Sequence, residues 1–282
     1  PGIFGYVSYG TLIGWLNLDI DSAYQLCQLS LKLLEEFDGK TVLAAIKISV
    51  YINTFCKKRH IKETLNPLFN AISEALEVGD LEYACHNANF YCMHLFLAGY
   101  PLQEVHEKQK QYIEFIAKYE QKHQLGLIKA ATQTAANLLD DSQFQVDLNG
   151  PFLKETEVIP NLLNHNNRIV LFNIYYFKAL LCYLFKRYSQ AIENCRQAVI
   201  YAGFIKAEVI FTEHNFCYSL ALLGQHRDDR MEVHEDLQEV NKNQELMKIW
   251  AHHAPMNFQY RYDLVEAEKA RVLGDTLTAM EL

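Results

Sequence analysis

The stretch AIENCRQAVIYA, residues 191–202, decides the fold class, because its apolar residues recur every three or four positions. That spacing places one side chain per turn on a single face, so the stretch predicts an amphipathic helix. On this face small side chains alternate with larger ones: Ala191, Ile192, Cys195, Ala198, Val199 and Ala202. A second helix can approach closely over the small side chains. The stretch therefore predicts one member of a tightly packed helix pair.

The same periodicity continues on both sides of this stretch and covers most of the chain. Helix breakers and caps divide the chain into about fourteen predicted helices. Gly79-Asp80 and Gly274-Asp275 each combine a glycine that ends one helix with an aspartate that caps the next. A helix is also predicted over 61–77, where Pro67 leaves the starting point open. Since the connections are short, consecutive helices should be antiparallel neighbours.

The helical pattern fails between residues 141 and 166, which are rich in Asp, Asn, Gly and Pro. A connection of this length inside a compact array is usually functional or a junction. We interpret 1–140 and 167–282 as N-terminal and C-terminal helical sub-arrays of one continuous solenoid, joined by 141–166. The chain begins at Pro1 without a methionine and stops at Leu282 within a helical pattern. It is therefore expected to belong to a longer polypeptide.

Composition excludes several classes of protein. The chain has 282 residues, of which 50% are hydrophobic and 21% charged, so a disordered segment is excluded. Its net charge is -8 and no basic run is present, so nucleic acid is not expected as a partner. No apolar run approaches the roughly eighteen residues of a membrane span. The seven cysteines never form a C-x-x-C pair and predict reduced core thiols of a cytoplasmic protein.

The turn before residue 191 carries a pattern typical of helical repeats. Phe185-Lys186-Arg187-Tyr188-Ser189-Gln190-Ala191, followed by Ala198, resembles the turn and second helix of a tetratricopeptide repeat. A degenerate second copy consists of Ala267, Ala270, Leu273-Gly274 and Ala279. The predicted fold is all-α: an α-solenoid of antiparallel helix pairs that forms a tetratricopeptide-like superhelix. We expect an elongated shape, because each pair of a solenoid buries its apolar face only against its sequence neighbours.

Four longer strings carry a more specific resemblance: GDLEYA at 79–84, YIEFI at 112–116, EHNFCYSLA at 213–221 and APMNF at 254–258. From about residue 10 onward, the chain resembles the helical region of large bacterial multi-sensor signal transduction multikinases. In that family a serine/threonine kinase domain is followed by an AAA-like P-loop ATPase, the helical array, a GAF sensor and often a histidine kinase.

The resemblance implies a non-catalytic interaction or regulatory module that couples an ATPase switch to sensor domains. Its partners would be neighbouring domains of the same polypeptide, with a protein or a small molecule as effector. One alternative is the ligand-sensing solenoid of an ATP-switched transcription regulator. A helical enzyme is a second alternative, for which the sequence offers no nucleophile–base pair.

No catalytic, cofactor-binding or metal-binding residue is assigned. The chain lacks the glycine-rich loops that hold phosphates in kinases and ATPases. Ala44-Ala45-Ile46-Lys47 and His226-Arg227-Asp228 look like kinase fragments, but both lie in predicted helices. We interpret them as coincidences.

Polar residues inside apolar helices are the candidates for a binding groove. His214 and Asn215 lie in one helix, and Asn87 and Asn89 in another. An unpaired buried amide costs about 1–3 kcal/mol, so each of these side chains needs a partner. They either form inter-helix hydrogen bonds that fix the register, or line a concave ligand groove together with Tyr175, Tyr176, Tyr183 and Tyr260.

The predicted helix from His226 to about residue 252 has an unusually narrow apolar stripe. The stripe consists of Leu237, Val240, Gln244, Met247, Trp250 and Ala254, and most other positions are polar or charged. A helix of this kind is exposed over much of its circumference. It is either a solvated surface or a docking surface for a neighbouring domain, with the candidates Glu235, Glu239, Lys242 and Trp250.

Overall fold

The computed structural model describes residues 2–16, 19–37, 39–140, 145–226 and 233–282. These residues form fourteen α-helices and three short 3-10 helices, and no strand occurs among them. An isolated antiparallel bridge joins Asn149 and Lys154. The predicted all-α class is confirmed.

The first seven helices are α1 (Gly2–Trp15), α2 (Ile20–Glu36), α3 (Lys40–Asn53), α4 (Leu65–Glu77), α5 (Leu81–Leu97), α6 (Leu102–Lys118) and α7 (Lys122–Leu139). The other seven are α8 (Glu155–Asn164), α9 (Arg168–Leu184), α10 (Tyr188–Tyr201), α11 (Val209–Gln225), α12 (Val233–His253), α13 (Pro255–Leu273) and α14 (Thr276–Glu281). The 3-10 helices are Phe55–Lys57, Ile61–Thr64 and Gly203–Ala207.

Local sequence explains where several helices begin and end. Gly79 and Gly274 adopt left-handed φ angles of 75° and 83°, which glycine accepts without strain. The side chains of Asp80 and Asp275 accept hydrogen bonds from backbone N–H groups in the next turn, as their position after glycine predicts. Both predicted helix boundaries, at Gly79-Asp80 and Gly274-Asp275, are confirmed.

The helices pack in neighbouring pairs, and the odd-numbered helices also form one continuous row. In that row α1 contacts α3, and the contacts continue through α5, α7, α9, α11 and α13. Gly126 lies where α7 meets α9, and a Cβ atom added there would be 3.2 Å from Cγ1 of Val170. The absence of a side chain at Gly126 therefore permits the close approach.

The predicted junction is tied to the helices on both sides of it. Residues 141–144 lie outside the described part, and α8 occupies the second half of 141–166. Asn137 on α7 donates hydrogen bonds to the carbonyl oxygens of Gln145 and Asp147. Glu155 accepts from the backbone N–H of Leu148 and pairs with Lys178 of α9 at 2.6 Å. One apolar cluster includes residues of this segment and extends from α5 to α13.

The C-terminal helices pack against the N-terminal part of the chain, which corrects the expectation that pairs contact only their sequence neighbours. On α13, Nδ2 of Asn257 donates to the carbonyl oxygens of Cys56 (2.7 Å) and Arg59 (2.8 Å). Its Oδ1 accepts from the backbone N–H of Ile61 at 3.1 Å. An apolar cluster at the same seam includes Ile20, Cys56, Ile61, Met247, Trp250 and Phe258. The array is therefore closed on itself by contacts between residues about two hundred positions apart.

Candidate functional site

His214, the first predicted groove residue, is buried in the core instead of lining a groove. Its Nε2 donates to the carbonyl oxygen of Cys195 on α10 at 3.0 Å. The ring stacks on Phe211 with 5.9 Å between centroids and lies 5.6 Å from Phe172. Burial lowers the pKa of His214 to about 4, so the ring is neutral at physiological pH. Its hydrogen bond holds α11 in register against α10.

The amides of Asn215 and Asn87 also connect helices. Asn215 donates from Nδ2 to Oδ1 of Asn243 on α12 at 3.1 Å. Nδ2 of Asn87 donates to the carbonyl oxygen of Tyr83 at 2.8 Å and lies 3.4 Å from that of Ala44 on α3. Of the two interpretations left open by the sequence, these contacts favour inter-helix hydrogen bonds.

The four tyrosines that the alternative of a ligand groove would bring together lie in different places. Tyr176 is 2% exposed and belongs to the main apolar cluster. Tyr175 stacks on the ring of Tyr201, and Tyr183 lies beside Tyr188 with 6.1 Å between centroids. Tyr260 is exposed and lies over the guanidinium group of Arg261 at 4.6 Å. Aromatic content alone did not reveal that helix packing separates these rings.

A narrow polar cavity lies where α5, α7, α9 and the beginning of α11 meet. Its polar lining residues are Asn89, His94, Asn173 and Glu208. Asn89 is the one member of the predicted groove that lines it. No sequence pattern indicates Glu208 as a site residue, because it lies in the connection between α10 and α11, where a charged side chain is ordinary.

A wider cleft lies at the seam between the two ends of the array, with about 460 Å³ of empty volume. His60, Lys62, Asn257, Tyr260 and Arg261 are among its lining residues. Arg261 is buried in a two-bonded ion pair with Glu213 and also donates to the backbone carbonyl of Asn257.

The charge of Arg261 is thus already matched within the protein. Its guanidinium group lies between the Glu213 carboxylate and the Tyr260 ring. Burial raises the pKa of Glu213, although Arg261 opposes that shift. A buried ion pair of this kind makes the contact at the seam specific. It does not leave the arginine available as an anion-binding site.

The predicted docking helix corresponds to α12, which exposes only part of the predicted set. Helix α12 starts at Val233, and residues 227–232 of the predicted span lie outside the described part. Glu235 and Lys242 are exposed, and Nζ of Lys242 lies 3.3 Å from Glu239. Trp250 is 1% exposed and packs between Phe211 and Phe258, so it is corrected from a docking residue to a core residue.

The two kinase-like fragments occupy structural positions. Lys47 lies on α3 and pairs with Glu74 of α4 at 2.6 Å. His226 follows the last turn of α11, and its Nε2 lies 2.6 Å from Asp236. Arg227 and Asp228 lie outside the described residues.

All seven cysteines are buried and free, as the sequence predicted. Burial raises the pKa of Cys56 to about 12 and that of Cys182 to about 11. Thiols with such pKa values hold little thiolate at neutral pH and are poor nucleophiles.

Both ends of the array leave large apolar side chains uncovered. Helix α1 contains no charged residue and exposes Phe4, Tyr6, Tyr9 and Leu12. At the other end, α14 exposes Leu277 at 77% and Met280 at 80%. None of the described helices has the length and apolar character required to cross a bilayer.

Comparison with known proteins gives one weak similarity. No protein-family model matches the chain. Over 104 residues, or 36% of its length, the chain is 28% identical to hybrid signal transduction histidine kinase G of Dictyostelium discoideum. The chain spans only about 3% of the length of that relative.

Proposed function

We propose that this chain is a non-catalytic helical interaction module of a multidomain signalling kinase. In this role it transmits a change between an ATPase switch and sensor domains of the same polypeptide. The similarity to a signal transduction histidine kinase supports a signalling role. The row of paired helices supports the interpretation as a tetratricopeptide-like solenoid, a scaffold that commonly serves as an interaction surface.

The uncovered apolar ends are the observation that carries this proposal. Terminal repeats of a solenoid normally present a polar outer face, because an apolar one promotes aggregation. Here α1 exposes Phe4, Tyr9 and Leu12, and α14 exposes Leu277 and Met280. Neighbouring domains that pack on these two faces would bury them and connect mechanically to the array.

Helix α12 supplies a second contact surface in the proposal. Val240, Met247 and Trp250 anchor one side of the helix in the core, which fixes its orientation. The other side presents Glu235, Glu239 and Lys242 to a partner. Because charged groups at an interface rim set specificity and association rate more than affinity, this surface suits a reversible regulatory contact.

The experiment is a double charge reversal, Glu235→Lys with Glu239→Lys, in the full-length polypeptide that contains this chain. Stability should change by less than about 1 kcal/mol, since exposed ion pairs contribute little. Kinase output should change at least several-fold.

The matched control reverses two exposed glutamates on α6, Glu104→Lys with Glu114→Lys, and should leave the output unchanged. Unchanged kinase output in the α12 variant, at equal thermal stability, would show that this surface is only solvated and does not dock a partner. An equal effect of both variants would point to net charge instead of a docking surface.

A further inference from the structure

The narrow cavity between α5, α7, α9 and α11 contains polar groups that the fold itself does not use. Asn89 is 2% exposed, lines the cavity and has no hydrogen-bond partner among the described residues. Glu208 lines the same cavity, and its carboxyl group forms no ion pair or hydrogen bond with a described side chain. Buried polar groups are nearly always paired, so the unpartnered amide of the buried Asn89, beside the partly buried Glu208, indicates a polar guest.

The remaining two polar groups of the cavity present acceptors. Asn173 uses its Nδ2 to donate to the carbonyl oxygen of Ile169 at 2.9 Å, which leaves Oδ1 as an acceptor. Thr64 Oγ1 donates to the carbonyl oxygen of Ile61 and also lies 2.7 Å from Nδ1 of His94. Because a hydroxyl has one proton, its donation to Ile61 assigns the proton of the second bond to Nδ1 of His94.

His94 therefore presents an unprotonated Nε2. Burial lowers the pKa of His94 to about 3, so the ring remains neutral at physiological pH. A neutral imidazole with its proton on Nδ1 has an acceptor at Nε2. The cavity thus offers four acceptor groups, one of which is a carboxyl group.

An ammonium group matches this set in size, charge and number of donors. The cavity has room for roughly one guest of the size of a water molecule. Water has only two donors and no charge, whereas ammonium has four N–H donors and a positive charge. Met93 and Leu127 form apolar walls, which strengthen an ion pair inside.

We propose that this cavity binds an ammonium group, either the free ion or the end of a small primary amine, with Glu208 as its counter-ion. The neutral partners are Oδ1 of Asn89, Oδ1 of Asn173 and Nε2 of His94. Binding does not depend on the proposed coupling role, because the chain itself holds all four groups.

The ionisation of Glu208 agrees with this assignment. Burial without a cation raises the pKa of Glu208 to about 8. A bound cation favours the carboxylate form of Glu208 and therefore lowers its pKa again. A positively charged guest thus converts the neutral carboxyl group of the empty cavity to its ionised form.

Thermal unfolding of the chain in ammonium chloride, against potassium chloride of equal ionic strength, tests the proposal. A ligand that binds only the folded state raises the melting temperature as its concentration exceeds Kd. Ammonium in roughly ten-fold excess over Kd should raise it by about 2–5 °C. An equal rise in potassium chloride would overturn the proposal.

Variants of the cavity residues test whether the rise in melting temperature arises from ammonium bound in this cavity. Glu208→Gln keeps the size of the side chain but removes its charge, and it should weaken ammonium binding at least ten-fold. Asn89→Leu removes one acceptor at similar size and should also weaken ammonium binding. With two cavity variants, the test remains possible if one of them fails to fold. Glu245→Gln, an exposed position on α12, should retain the full shift. A full shift in both cavity variants would overturn the assignment.

Methylammonium distinguishes the two sources of the ammonium group. Equal binding of methylammonium supports the end of a primary amine, because the methyl group must then lie in an opening of the cavity. Binding at least ten-fold weaker than that of ammonium supports the free ion. No binding of either cation would overturn the proposal.

Discussion

Asn257 is the residue that ties the two ends of the chain together. Its side chain is 4% exposed and makes three hydrogen bonds to backbone groups of Cys56, Arg59 and Ile61. One amide thus satisfies two carbonyl groups and one N–H group of the segment that contains the first two 3-10 helices. Backbone polar groups in such a segment have few other partners, which explains why an asparagine suits this position.

Asn257→Ala should therefore lower the free energy of unfolding by about 2–3 kcal/mol, because it leaves buried backbone groups unpaired. The measurement is urea denaturation followed by circular dichroism. Asn241→Ala, at an exposed position on α12, is the matched control and should stay within about 0.5 kcal/mol of wild type. Equal stability of both variants would show that the seam does not hold the array closed.

His214 makes the stability depend on pH in a defined direction. Its pKa is about 4 in the folded chain, because of burial, and 6.5 in the absence of burial. Between these values the unfolded chain binds a proton that the folded chain does not, so stability falls as the pH falls from 6.5 towards 4.

This group alone should remove roughly 2 kcal/mol of stability between pH 7.5 and pH 5. In His214→Phe the loss over that interval should be smaller than in wild type by this amount, whatever the cost of the substitution at pH 7.5. Urea denaturation of both proteins at the two pH values gives the comparison. Identical losses would mean that His214 titrates alike in the folded and unfolded chains.

At the scale of helices, apolar periodicity and capping signals predicted which segments are helical. They failed where a helical pattern and a proline compete in one segment. The predicted helix over 61–77 is divided into the 3-10 helix Ile61–Thr64 and α4, which begins at Leu65. Pro67 thus falls in the first turn of α4, where a backbone N–H group has no partner within the helix anyway. The sequence showed the conflict, but only the structure shows which helix type precedes the proline.

Gly126 determines how closely α7 and α9 pack. Gly126→Val should lower the free energy of unfolding by about 1–3 kcal/mol, because the new side chain meets Val170. The cost should be smaller in a Val170→Ala background, where space is available. Urea denaturation of the two single variants and the double variant gives the coupling energy. Strictly additive costs would contradict the close approach of these two helices.

At the scale of the whole molecule, the sequence predicted the helices but not the closure of the array. Periodicity reports which face of a helix is apolar, and neighbouring helices satisfy most of those faces. It carries no information on contacts between positions such as Asn257 and Cys56. Asn257 belongs to the string APMNF, which carries the family resemblance but has no periodicity that indicates a long-range contact.

The candidate site was less predictable than the fold. His214, Asn215 and Asn87 were correctly identified as polar residues in an apolar setting, but they bond to neighbouring helices. Asn89 lines a cavity whose other polar groups come from α9 and the start of α11. Sequence spacing cannot show that these elements meet, because their relative placement depends on the packing of the entire row.

The uncovered ends carry our central proposal, that neighbouring domains of a longer signalling polypeptide pack on α1 and α14. Hydrogen–deuterium exchange of the isolated chain, compared with the same residues within the full-length polypeptide, tests it most directly. We predict exchange at least ten-fold slower in α1 and α14 of the full-length polypeptide, and unchanged exchange in α10, which serves as the internal control. Equal exchange of α1 and α14 in both contexts would contradict the claim.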